Sequence, residues 1–241
     1  MNKPQYINFV FEISEGVLPE QEEQAKLSFN KAGIVLEAEW NVSTPIAIRV
    51  SILSGKAFRE DATSGPQSWK YCFLLRDQPD DKIYCNVDVF RVLPNDAEKI
   101  IKHETAHIVV AHLVGNFSAY KNSFFLEEGT AGFDDATNRL SEKLRKENIR
   151  DIPDPLAIKT IGDIKTMGGD TNKEPFADQL GYLVLFSFVG HLRKVYGENK
   201  IIGLYKMMGV SNFEQAFTLI YKEPLSKMIA EWRKNLPQKL D

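Results

Sequence analysis

Hydrophobic and polar residues alternate at the start of the chain and later recur with a helical period. "YINFVFEI" (6–13) alternates every second position, as a half-buried strand does. "LPEQEEQAKLSFNKAGI" (18–34) shifts to helical spacing, with Pro19 near its start, where a missing N–H leaves no bond unmade. "IAIRVSIL" (46–53) reads as a second strand bounded by Pro45 and Gly55, and "SGPQS" (64–68) as a loop. Two more strand-like runs, "KYCFLLR" (70–76) and "KIYCNVDVF" (82–90), flank the turn-rich "DQPDD" (77–81) and predict a hairpin. From residue 96 onward the spacing is mostly helical, with no internal repeat or low-complexity tract. The predicted class is α+β: a mixed β-sheet with a helix first, a mostly helical portion after it.

The helix over "IIKHETAHIVVAHLVG" (100–115) is the one that carries candidate chemistry. Asn95 is the expected N-cap, with Glu98 three residues later as in a capping box, and Gly115 is a natural stop. His103 and His107 are four residues apart, about 40° around the axis, so both imidazoles leave one face and can share one metal ion. Glu104 sits beside them on the rim, placed to reach a metal-bound water without being a ligand. His112, nine residues after His103, falls about half a turn away and reads as a packing or surface histidine. His191, inside the apolar run "YLVLFSFVGHL" (182–192), reads as a satisfied core histidine.

Composition narrows the partners. The 241 residues suffice for one large or two small domains, burying roughly 70–75% of the unfolded surface. Acids and bases nearly balance, 33 against 30, and the net charge of −3 argues against a nucleic-acid partner. The basic-leaning "KLRKENIR" (143–150) is interrupted by Glu147 and reads as a solvated helix face. The run at 182–192 is far shorter than the roughly 20 residues of a membrane span. "MNKPQYINFVFEI" lacks the features of a signal peptide. The expectation leans to an extracytoplasmic protein whose leader has been removed, with a cytoplasmic one left open. Cys72 and Cys85 form no Cys-x-x-Cys pair. A tight hairpin would set them opposite each other, where a disulfide can form, and two reduced, half-buried thiols are the alternative.

A catalytic zinc takes three protein ligands and keeps one position open, so two histidines leave one ligand to find. The candidates lie in "SFFLEEGTAGF" (123–133), after the loop "NFSAYKN" (116–122), on a helix able to run antiparallel to the first. Glu127 and Glu128 point about 100° apart and cannot both face the ion. Spacing alone leaves the choice open, because 19 residues separate His107 from Glu127 and 20 separate it from Glu128. A ligating histidine usually hands its other N–H to a carboxylate or carbonyl, and Asp134 and Asp135 are both candidates.

His-Glu-x-x-His, followed about twenty residues on by "FLEEGTA" (125–131), resembles the gluzincin metallopeptidases. The likeness is greatest to the small peptidase MA-like families related to the catalytic domain of M1 aminopeptidases. "YLVLFSFVGHLRKVYGENKIIGLYKMM" (182–208), then "NFEQAF" and "LSKMIAEWRKNL", resembles their closing pattern. This resemblance implies a single zincin-like metallopeptidase domain over 1–241. Its sheet lobe and His-Glu-x-x-His helix would span 1–115 and its helical lobe 116–241, with the active site in the cleft between them. It implies one catalytic Zn2+ on His103, His107 and Glu128, the glutamate preceding Gly129. Gly129 would let the ligand helix lie close to the histidine-bearing helix, and Glu127 would be a supporting or surface acid. Glu104 would be the general base acting on a zinc-bound water, and Tyr182 the donor that faces the oxyanion. The implied substrate is a peptide or protein, cleaved internally. The Gly-x-Met-Glu-Asn strand that holds a free amine in M1 aminopeptidases is absent, so that activity is not implied. Two rivals remain: a weakly active peptide- or partner-binding protein of the same fold, and a cytosolic regulatory protease. The intact Glu104 argues against the first, and the Glu-Gly-x-Ala block against the second. Oligomeric state is left open.

Overall fold

The computed structural model describes residues 5–61, 72–74, 82–94, 96–115, 123–132, 134–167, 178–208 and 210–236. The expected loops at 64–68, 77–81 and 116–122, and the expected cap Asn95, lie outside the described residues. The fold is mixed α+β, with the sheet first and helices after it. Two compact units divide the chain, residues 1–109 and 110–241, and the division falls inside a helix.

The first unit runs β1 (Ile7–Ile13), α1 (Pro19–Glu39), β2 (Ile46–Leu53), α2 (Gly55–Asp61), β3 (Cys72–Leu74), β4 (Lys82–Asn86), α3 (Val89–Val92), and the start of α4 (Ala97–Val114). The strands lie in the order β1-β2-β4-β3. β1, β2 and β4 are mutually parallel and β3 is antiparallel to β4, so the sheet is mixed as expected. Parallel neighbours need a crossover, and α1 supplies the one between β1 and β2. β2 is central, with Ile48, Val50 and Ile52 fully buried.

α1 continues five residues past the expected end, because its buried stripe Ala25, Phe29, Ala32 and Leu36 keeps helical spacing. The Glu37 carboxylate in its last turn accepts hydrogen bonds from the N–H groups of Tyr6 (2.7 Å) and Ile7 (2.6 Å), tying the helix end to the start of β1. The run at 82–90 is strand only to Asn86. There the Asn86 side-chain carbonyl accepts from the Asp88 N–H at 2.9 Å, a local turn that competes with the ladder and leads into α3. Cys72 and Cys85 stand opposite each other across β3 and β4 and are joined in a disulfide.

The second unit is helical: α5 (Phe124–Thr130), α6 (Ala136–Lys146), a 3-10 turn (Pro155–Ala157), α7 (Ile161–Thr166), α8 (Leu180–Tyr196), α9 (Glu198–Met208), α10 (Phe213–Tyr221) and α11 (Leu225–Asn235). α8 is its axis. Every residue from Leu180 to Val189 is buried, and α5, α6, α7, α9 and α11 all pack on it. Ser187 is the polar exception inside that run. Its hydroxyl accepts from the Trp232 indole N–H at 3.0 Å and lies 3.0 Å from the Thr137 hydroxyl, linking α8 to α11 and α6. Among the described residues no helix is long and apolar enough to cross a membrane.

Two expectations need correction. The segment 143–150 is not one solvated helix face: α6 stops at Lys146, Asn148 takes a positive φ of 53°, and Lys143 is buried with its ammonium 2.8 Å from Glu147. His191 is half-buried rather than a core residue, since the fully buried stretch of α8 ends at Val189.

Burial lowers the His191 pKa below its usual 6.5, the Glu231 charge opposes that shift, and Lys194 adds to it. A depressed folded-state pKa means that the unfolded chain binds the proton first as pH falls. The His191 contribution to stability is therefore present above about pH 6.5 and is lost as pH falls through the lower folded value. Denaturant unfolding at pH 7.5 and 5 is expected to show a smaller acid loss for His191→Gln than for the wild type.

Candidate metal centre

Two charge pairs join one face of the first turns of α4 to α1. Lys102, next to His103, meets Glu39 of α1 at 2.5 Å in a largely buried pair. Glu98 meets Lys31 of α1 at 2.8 Å. The helix begins at Ala97, and the Ala97 N–H donates to the Leu93 carbonyl at 2.9 Å. Gly115 closes the helix as expected, with φ of 71° in the left-handed region. The buried Thr105 hydroxyl is satisfied within the helix, donating to the Ile101 carbonyl at 2.7 Å.

His103 and His107 are each 4% exposed. Their Nε2 atoms are 3.1 Å apart, with the rings nearly perpendicular. Bonds of about 2.0–2.1 Å at a tetrahedral ion put two nitrogens about 3.3 Å apart. The observed spacing fits two lone pairs aimed at one ion. At this distance one Nε2, if protonated, can donate to the other. His112 is exposed, as the half-turn offset requires.

Glu128, 2% exposed, completes a cluster with these histidines: the ligand atoms of His103, His107 and Glu128 all lie within 4.8 Å of one another. It is the one such cluster among the described residues. Two imidazole nitrogens and a carboxylate oxygen, all buried, can hold a metal ion. The set is of the nitrogen–oxygen kind, and imidazole suits zinc, copper, iron and nickel alike. Glu104 is half-buried beside His103.

The reason expected for Gly129 is overturned. A side chain there would collide with Val189 Cγ2 at 2.3 Å and approach the Leu185 carbonyl oxygen at 3.0 Å, and both belong to α8. The glycine lets α5 lie against the closing helix of its own unit. Nor is Glu127 a surface acid, since it is 4% exposed. Asp134 is exposed and holds Arg193 at 2.9 Å, and Asp135 precedes α6 and lies 3.8 Å from Arg139. Tyr182 lies in the first turn of α8, buried, with its ring 5.6 Å from that of Phe186.

Sequence reasoning missed Thr130 and Tyr205. The Tyr205 hydroxyl lies 3.2 Å from the Thr130 hydroxyl, which donates to the Glu127 carbonyl at 2.9 Å. Burial holds the Tyr205 phenol well above its ordinary pKa, the Thr130 bond opposes this, and the charges of Glu127 and Glu128 add to it. Thr130 lies inside the Glu-Gly-x-Ala block and was within reach of inspection. Nothing in the pattern around Tyr205 separates it from a packing tyrosine.

No family model, curated protein or solved structure matches this chain.

The geometry assigns unequal roles to the two adjacent acids. Glu128→Ala is expected to weaken metal binding by more than the roughly 10- to 100-fold that loss of an outer supporting group costs. Glu127→Ala is expected to keep near-stoichiometric metal. Metal content and affinity of the two purified variants check this, and the reverse outcome would move the ligand to Glu127.

Proposed function

We propose that this chain is a zinc-dependent metallopeptidase of the gluzincin type, with a zincin-like fold, that hydrolyses internal peptide bonds. The observation that carries the proposal is the gathering of His103, His107 and Glu128, three residues from two separate sequence blocks, into one buried cluster. The histidines would hold the ion through Nε2 and Glu128 through its carboxylate. When bound, zinc supplies Lewis-acid polarisation of a carbonyl and acidifies water at neutral pH.

The chain's own residues handle the protons. Glu104 is next to a ligand in sequence but is not a member of the ligand cluster, and its carboxylate is the base in this reading. It takes a proton from the attacking water as the new C–O bond forms. It then passes that proton to the amide nitrogen as the C–N bond breaks, which leaves a carboxylic acid and an amine. Tyr182 donates its phenolic hydrogen to the oxygen that becomes negative during attack. Tyr182, Phe186 and Val189 are spaced i, i+4 and i+7 on α8, so Tyr182 shares the face that Val189 turns to Gly129.

Two measurements test the proposal together: metal analysis of the purified protein, and incubation of wild type and Glu104→Gln with an unbiased peptide library read by mass spectrometry. Cleavage by the wild type at internal bonds is expected. A protein that takes up metal yet cleaves nothing would point instead to a peptide- or partner-binding role.

Glu104→Gln is expected to retain metal and fold while losing cleavage by about 100- to 10,000-fold, the range for removal of a general base. Comparable cleavage, or loss of metal, would reject the assigned role. Tyr182→Phe removes only a hydroxyl and is expected to lower turnover by about 100- to 1000-fold, with metal content and melting temperature little changed. Unchanged turnover would return Tyr182 to core packing.

A further inference from the structure

α5 has a difficulty that its sequence does not solve. It is seven residues long, far below the roughly 12–15 at which an isolated helix becomes even marginal, and it ends on Gly129-Thr130. Its last turn is also not regular. The Ala131 N–H goes to the Glu128 carbonyl at 3.2 Å and the Gly132 N–H to the Gly129 carbonyl at 3.3 Å, both the tighter i→i−3 kind. At that turn the Glu127 carbonyl receives the Thr130 hydroxyl at 2.9 Å. A threonine hydroxyl has one hydrogen. Having given it to Glu127, Thr130 can only accept from Tyr205, whose oxygen is 3.2 Å away. The result is a directed chain: the Tyr205 O–H donates to Thr130, and the Thr130 O–H donates to the carbonyl of Glu127. That carbonyl belongs to the peptide group whose nitrogen is Glu128's own. All three members of the chain are buried, and Tyr205 is fully so.

We propose that Tyr205 and Thr130 are positioning residues for the metal ligand Glu128, fixing the peptide group that carries it through this two-step hydrogen-bond chain from α9. The proposal rests on the metal site described above and adds to it the means by which a short, glycine-containing helix presents its carboxylate at one fixed place. Outer groups that orient a ligand commonly alter metal affinity by about 10- to 100-fold when removed. The chain acts on the ligand's backbone rather than on its carboxylate, so its loss loosens the site without changing the donor set.

Co2+ is the probe, because its visible absorption reports both binding and coordination geometry. The metal-free wild type, Tyr205→Phe, Thr130→Val and Thr130→Ser are titrated with Co2+, at a temperature where far-UV circular dichroism shows each folded. Tyr205→Phe removes the first donor. Thr130→Val keeps the shape but removes the second, and Thr130→Ser preserves the hydroxyl. Tyr205→Phe and Thr130→Val are expected to weaken Co2+ binding by about 10- to 100-fold with an altered absorption band, while Thr130→Ser stays at the wild-type value. Wild-type affinity and an unchanged band in folded Tyr205→Phe and Thr130→Val would overturn the positioning role and leave the metal site standing. Weakening in Thr130→Ser equal to that in Thr130→Val would also overturn it, since packing rather than the hydroxyl would then be responsible. A wild type that takes up no Co2+ would overturn the metal site itself. Should Tyr205→Phe fail to fold, the Thr130 pair decides alone.

Discussion

Two buried imidazoles with their Nε2 atoms 3.1 Å apart impose the strictest demand on this molecule. A polar nitrogen removed from water must find a partner, or it costs on the order of 1–3 kcal/mol. Here the two nitrogens face each other, so one proton between them, or one ion in front of both, can be shared. The i, i+4 spacing on α4 creates this pair, and a metal ion held by it would take a further donor from elsewhere in the chain. Around this point the first unit supplies stiffness. Lys102–Glu39 and Lys31–Glu98 fasten α4 to α1, and the Glu37 carboxylate fastens α1 to the first strand.

The third donor depends on a different set of contacts. α5 is too short to stand alone, and its position is set by α8, which Gly129 and Gly132 approach so closely that a methyl group at either would collide with Val189 or Phe186. α8 is itself fixed through Ser187, which ties it to α6 and α11. Residues as far along the chain as Trp232 therefore bear on where Glu128 sits, without being near the chemistry. This explains why an apolar run such as 182–192 matters to the site: it is the surface against which the ligand helix is registered.

What was legible in the sequence, and what was not, follows from the range of the interactions concerned. The histidine pair, the stop at Gly115 and the strand at 46–53 depend on local periodicity and backbone preference, and they stand where the pattern put them. The cluster of His103, His107 and Glu128 could be anticipated because the glutamate lies in a recognisable block, even though spacing alone left Glu127 open. The errors lie where a tertiary neighbour decides. Asn86 turns the chain out of β4. His191 falls just past the buried stretch of α8, while Gly129 fits against a helix more than fifty residues away in the chain. None of these neighbours can be seen in a one-dimensional pattern.

Three consecutive residues of α5, Glu127, Glu128 and Gly129, each meet different surroundings. Side chains leave a helix radially and backbone carbonyls run along its axis, so a single turn can address several surroundings at once. The Glu128 carboxylate lies with the histidines, the Glu127 carbonyl takes the Thr130 hydroxyl, and the Gly129 α-carbon lies against α8. Each contact restrains a different degree of freedom: the glycine sets the distance of α5 from its support, the carbonyl bond sets its last turn, and the carboxylate uses what the other two have fixed. A larger residue at 129 would displace the turn, and a side chain lacking a hydroxyl at 130 would leave the Glu127 carbonyl without that donor. In both cases Glu128 would remain in the sequence but no longer be held at one place relative to the histidines. The site is therefore specified by the packing behind α5 as much as by the three ligands.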